Sequence, residues 1–218
     1  MKCFKNVNVY VQDKGVQKRS VFFDAKIQKI SRGASKKTEL ISLPDDAIVL
    51  PGFIDQHIHG AGGSDGMDGT LNDISIIANT VAAEGTTSFL VTTMTQSKEN
   101  ILHALQAVKE YRSEERKDGA RVVGVHLEGP FIAAAHKGAQ PLEYVKEPDV
   151  ATFDEYFAAS GDSIKIVTLA PEIDGATDFI KHIVSKGAAV SIGHTGAKFA
   201  DMLHRTSYPQ QPYCRCWF

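Results

Sequence analysis

The sequence has little cysteine, no excess of basic residues and no long apolar run. Its three cysteines, Cys3, Cys214 and Cys216, are an odd number and form no CxxC pair. That excludes a dense disulfide framework and points to a reducing, cytoplasmic setting. Lys and Arg number 24 against 26 Asp and Glu, a net charge of −2. Such a chain lacks the field of a general nucleic-acid or anionic-membrane binder, so neither partner is expected. No apolar stretch approaches the roughly 18 residues of a membrane span. The N-terminal MKCFKNVNVYVQDKG lacks the apolar core of a secretory signal.

What is present is an ordinary globular balance, 43% apolar and 23% charged over 218 residues, enough to bury a core. Residues 1–49 read as a small β-sheet module, with FKNVNVYV, SVFFDAKIQKI and PDDAIVL bounded by Lys-Gly and Arg-Gly turns. From residue 50 the pattern becomes strand, loop, helix, repeated. The strands are AIVLPGFIDQHIHG, TSFLVTT, RVVGVHLEGP, KIVTLAPE and AVSIGHT. The helices are DISIIANTVAAE, stopped by Gly85; KENILHALQAVKEYRSEERK, capped by Ser97; VATFDEYFAA; ATDFIKHIVSK, stopped by Gly187; and a fifth starting in AKFADMLHR.

Near-continuous apolar strands indicate a parallel sheet covered on both faces. An eight-unit βα barrel takes about 250 residues, so five units take about 155, the length that residues 50–205 provide. The fold class predicted is therefore α/β, a partial (β/α)8 TIM barrel of five βα units behind the β module. A doubly wound sheet would want GxGxxG or GxxxxGK[ST] after its first strand. HGAGGSDG matches neither. Residues 206–218 break the pattern and read as out-of-frame or truncated sequence.

Three strand ends offer metal ligands. His57 and His59 alternate with Ile58, so both imidazoles leave the first barrel strand on one side. His126 and Glu128 share a side at the end of the third, before Gly129-Pro130. His194 ends the fifth. Imidazoles and a carboxylate suit Zn²⁺ or a similar divalent ion, and parallel barrels carry their chemistry at these ends. His103, His182 and His204 fall within helices and read as packing or solvated residues. His136 lies in the loop FIAAAHKGAQP near the proposed mouth. Cys214 and Cys216 form only a weak CxC.

PGFIDQHIHG, HLEGPF, TLAPE and SIGHT, in this order, resemble the N-acetylglucosamine-6-phosphate deacetylases of the amidohydrolase superfamily. The resemblance implies hydrolysis of the acetamide of N-acetylglucosamine 6-phosphate in the cytoplasm by a homodimer using one or two divalent ions, Zn²⁺ first, with Fe, Mn or Co as alternatives. It implies metal-ligand roles for His57, His59, Glu128 and His194, with Glu128 bridging. Lys137-Gly138-Ala139-Gln140 matches a loop over the sugar, which makes Gln140, Ala139 and His136 the candidate substrate contacts. The resemblance further implies a sixth-strand His, an eighth-strand acid–base Asp, phosphate contacts and a C-terminal strand segment, none of which these 218 residues contain. The chain by itself is therefore expected to be inactive and poorly folded. Two other readings are a different amidohydrolase acting on cyclic amides or dipeptides, and a non-catalytic fragment. The cyclic-amide enzymes commonly use a carboxylated Lys on the fourth strand, where KIVTLAPE ends without one.

Overall fold

The structure, a computed structural model, describes residues 1–33, 38–114 and 118–198. The N-terminal unit, Met1–Gly52, is built on a hairpin of β1 (Lys2–Val11) and β2 (Gly15–Phe23). Its turn uses Asp13 and Gly15 at φ 61° and 66°. Glycine takes up this left-handed backbone without penalty and Asp tolerates it better than most residues. The loose alternation of FKNVNVYV has a physical cause. The pairing register shifts between Phe4 and Val7, and Asn6 there turns its amide to Ser20 Oγ, 3.2 Å away. The shift sets Val7 and Val9 inward against Val21. β3 (Ile27–Ser31) extends β2 antiparallel, while β4 (Glu39–Ile41) and β5 (Ile48–Val49) pair with β1 in parallel.

The second unit, Phe53–Phe218, holds the repeated pattern. β6 (Phe53–Ile58) is followed by a two-stranded ribbon, β7 (Gly60–Ala61) and β8 (Ser64–Asp65), where the sequence suggests only a loop. Then come α1 (Leu71–Ala83), β9 (Thr86–Thr92), α2 (Lys98–Ser113), β10 (Arg121–Glu128), α3 (Val150–Ala159), β11 (Ile164–Leu169), α4 (Ala176–Ser185) and β12 (Ala189–Ile192). The larger sheet is parallel throughout, in the order β12-β11-β10-β9-β6. The order never reverses. A doubly wound sheet must reverse, at its switch point, whereas a barrel adds each strand beside the last. Five strands with four intervening helices are thus a partial TIM barrel. The fifth predicted helix, His204 and the 206–218 tail lie outside the described residues.

Local chemistry fixes the helix ends. Thr70 accepts from Asp73 N–H, Ser97 from Asn100 N–H, and Asp149 from the Ala151 and Thr152 amides, each satisfying donors that the first helical turn leaves open. Gly85 and Gly187, at φ 89° and 82°, follow α1 and α4 as the sequence predicts. The helices cover one face of the sheet. Phe89, Val91, Val125, Leu127, Val167 and Leu169 pack there against Ile74, Ile101, Leu105, Phe153, Phe179 and Ile183. Each such buried side chain contributes roughly 1.5–3 kcal/mol.

The third strand carries an irregularity that matters for the site. Val122 faces the helices, and so do Val125 and Leu127, an odd step that strict alternation forbids. The register shifts at Gly124, against β9 between Val122 and Gly124 and against β11 between Val125 and His126. A β-carbon at Gly124 would stand 2.3 Å from the Ser163 carbonyl oxygen. This bulge resets the parity of the strand, as an extra residue must. It turns His126 and Glu128 away from the helices.

Candidate metal centre

β6 and β10 deliver the central groups. Ile58 packs toward the helices, so its neighbours His57 and His59 project to the other side. The backbone beneath them is pinned. His57 N–H donates to Asp55 Oδ1 at 3.0 Å, and Ile58 N–H donates to Thr92 Oγ1 of β9 at 2.9 Å. Glu128, only 5% exposed, lies between the imidazoles. Its Oε2 is 2.8 Å from His57 Nε2 and 3.5 Å from His59 Nε2, and its Oε1 is 2.7 Å from His194 Nε2. The two imidazole Nε2 atoms of His57 and His59 are 3.3 Å apart. One ligand atom from each of His57, His59 and Glu128 lies within 4.8 Å of the others. His194 stands apart from that trio, on the second oxygen of the same carboxylate.

The electrostatics are those of a site that collects positive charge. Burial raises the Glu128 pKa, but the imidazoles of His57, His59 and His194 around it outweigh that and hold the carboxyl far below the usual range. The bond to Glu128 raises the pKa of His59 against the opposing effect of burial. His126, 1% exposed, is used differently. Its Nδ1 lies 2.9 Å from the Gln56 carbonyl and its Nε2 2.7 Å from Thr168 Oγ1. Burial pushes its pKa down to about 4, so it is a neutral strut joining β6, β10 and β11. Its ring also meets His57 edge-on, with centroids 4.9 Å apart.

The donor set fits a divalent cation. His194 Nδ1 sits 3.0 Å from the His136 carbonyl oxygen, which can only accept. The ring proton therefore belongs on Nδ1 in the neutral form, and Nε2 presents a lone pair to a carboxylate oxygen. Two electron-rich atoms at that distance require a proton or a cation between them. Glu128 Oε2 is buried and faces the two other imidazole nitrogens, at 2.8 and 3.5 Å. Buried charge of this kind is ordinarily paired or metal-bound.

The three loop candidates fall in different places. Gln140 is buried, not presented at the surface. Its Nε2 donates to Glu128 Oε1 at 3.0 Å and its Oε1 accepts from Thr95 N–H at 2.7 Å. Ala139 and the His136 side chain are exposed, and His136 reaches the centre only through its carbonyl. His182 lies on α4 and pairs with Asp154 of α3 at 2.8 Å, a packing role. Sequence reasoning missed Thr95, Thr168 and Glu172. Hydroxyl groups at strand ends carry no spacing signal, but Glu172 belongs to the TLAPE segment already singled out. An open cavity of about 630 Å³ is lined by His57, His126, Leu90 and Ile166, among others.

A sequence model of the Amidohydrolase family matches residues 48–206. Among individual proteins, the chain is 41% identical over 181 residues to an N-acetylglucosamine-6-phosphate deacetylase of Bacillus subtilis, covering 81% of this chain and 46% of the relative. It is 36% identical over 153 residues to an N-acetylgalactosamine-6-phosphate deacetylase of Escherichia coli O157:H7, covering 70% and 40%. A crystal structure of N-acetylglucosamine-6-phosphate deacetylase from Pasteurella multocida superposes with a TM-score of 0.82 at 26% identity, over 94% of this chain and 54% of that one. The chain spans less than half the length of the two relatives aligned by sequence.

Proposed function

The chain belongs to the amidohydrolase family, and on that footing we propose that it carries the metal centre of an amino-sugar-phosphate deacetylase. The substrate is N-acetylglucosamine 6-phosphate, and the reaction is hydrolysis of its acetamide to acetate and the free amine. His57, His59 and one oxygen of Glu128 form one side of the centre. His194 and the other oxygen would form the second, with Glu128 the residue shared by both. Zn²⁺ suits these ligands best, with Fe, Mn or Co as alternatives.

An amide is a poor electrophile and water a poor nucleophile. A divalent ion, when bound, lowers the pKa of water to about 7 and polarises a carbonyl oxygen. The protein's own part is to keep its ligands deprotonated and aimed. His126 holds the β6 backbone under His57, and the Thr92 hydroxyl fixes Ile58 between the two imidazoles. Gln140 donates to the carboxylate and orients it, and it stays the candidate contact to the sugar with Ala139 and His136. Protonation of the leaving amine needs a further acid, worth on the order of 10²–10⁴ in rate.

The observation that carries this reading is the single buried carboxylate shared by imidazoles on both of its oxygens. It also weighs against a cyclic-amide hydrolase. The lysine of β11, Lys165, is at the start of the strand, and its C-terminal end offers Thr168 to His126. No described helix is long and apolar enough to cross a membrane, in keeping with a cytosolic phosphosugar enzyme. A homodimer follows from the family resemblance, and light scattering checks it.

The test joins residues 1–205 to the second half of the Bacillus subtilis relative and assays both acetylated sugar phosphates and cyclic amides with added Zn²⁺. Acetate release from N-acetylglucosamine 6-phosphate, lost in Glu128→Gln, is expected. Hydrolysis of cyclic amides alone would overturn the proposal.

A further inference from the structure

Resting on that reading of the metal centre, we infer that Glu172 is a positioning residue for His194. Glu172 follows β11, and His194 follows β12. The Thr195 hydroxyl donates to Glu172 Oε2 at 2.5 Å, and the Gly196 amide donates to Oε1 at 2.7 Å. Both oxygens of one carboxylate thus hold the two residues immediately after His194. Thr195 Oγ1 also accepts from Ala197 N–H at 2.9 Å, so the hydroxyl is fixed from both directions.

His194 needs such a clamp. Its backbone sits at φ 51°, a left-handed conformation that residues with a β-carbon avoid. Upstream, Gly193 N–H donates to the Leu169 carbonyl, and the His194 carbonyl accepts from Ala133 N–H. Downstream, the restraint is the Glu172 carboxylate. There the chain runs close to the His136 ring: a β-carbon on Gly196 would lie 2.6 Å from His136 Nε2. This is the loop whose carbonyl accepts the hydrogen bond from His194 Nδ1–H and so leaves Nε2 free to ligate. Glu172 never touches Glu128 or the ring. It acts by holding the backbone that aims them together, as outer partners of metal ligands commonly do.

The experiment has two arms. In the metal-free chain, long-range ¹H–¹⁵N NMR of the His194 ring reports its tautomer. The wild type is expected to show a fixed Nδ1–H form, and Glu172→Ala an averaged one. An unchanged ring spectrum in a folded Glu172→Ala protein overturns the positioning role, whatever happens with metal. In the second arm, Co²⁺ is titrated into wild type, Glu172→Ala, His194→Ala and the double variant. Glu172→Ala is expected to weaken binding about 10–100-fold, with no further loss once His194 is gone. Equal losses in both backgrounds mean a merely structural residue and contradict the inference. A wild type that binds no Co²⁺ removes the metal-centre reading, and the NMR arm alone then decides on Glu172. Should Glu172→Ala not fold, Glu172→Gln and Thr195→Val each remove part of the clamp and run through the same cycle.

Discussion

The two faces of the five-stranded sheet bury different things. The helix-facing layer is apolar along its length, from Phe89 and Val91 through Val125 and Leu127 to Val167 and Leu169. The opposite face, at the C-terminal strand ends, buries Thr92, His126, Glu128 and Thr168, with Thr95 and Gln140 just beyond. Apolar burial is what stabilises such a fold. Buried polar networks add little net stability and are costly when half satisfied. The contrast separates a layer that holds the chain folded from a layer that sets imidazoles around both oxygens of one carboxylate, with Gly124 deciding which residues of β10 belong to which.

If that division is right, the largest stability loss comes from the helix side. Phe153→Ala removes a fully buried ring between α3 and α4 and is expected to cost about 3–5 kcal/mol in urea denaturation. Metal affinity of the fraction that stays folded should hardly change. A Phe153→Ala protein that keeps its urea midpoint but loses metal would reverse the assignment of the two layers.

The polar face predicts a pH effect. His126 is neutral in the fold with a pKa of about 4, below the ordinary value near 6.5. As pH falls, the unfolded chain takes up this proton first. The His126 contribution is therefore intact above pH 6.5 and is lost between 6.5 and 4, by about 3 kcal/mol. Urea midpoints measured across that window in wild type and His126→Gln check it; an identical slope in both would exclude His126 as the cause.

Glu128→Gln keeps the shape and removes the shared charge. Metal affinity is expected to fall at least about 100-fold, since losing outer partners alone costs 10–100-fold. The urea midpoint of the metal-free protein should move less than in Phe153→Ala. The smallest effect belongs to a helix end far along the chain from the ligands. Asp149→Ala strips two amides at the start of α3 of their acceptor and should cost about 1 kcal/mol with metal binding unchanged, as calorimetry of both variants would show.

Much of this was legible in the sequence. Hydrophobic runs and glycine stops located the helices and the parallel strands because both report backbone chemistry directly. Strand alternation placed His57 with His59 and His126 with Glu128. The Gly124 bulge was not legible: alternation counted from Val122 gives the wrong face for Glu128, and a lone glycine does not announce a register shift. Gln140 is a candidate substrate contact in the sequence, and its bond to Glu128 stays hidden there because it is set by how the loop folds back. Glu172 escaped notice because its partners are a hydroxyl and a backbone amide more than twenty residues away. Polar bonds between loops leave no periodic trace.

The central claim is that Glu128 gathers imidazoles around a cation. Anomalous diffraction at the zinc absorption edge, from crystals grown with Zn²⁺, addresses it most directly. A peak is expected about 2.0–2.2 Å from His57 Nε2, His59 Nε2 and a Glu128 oxygen, absent in Glu128→Gln. Zinc bound only elsewhere, with these four side chains left as they stand, would contradict it.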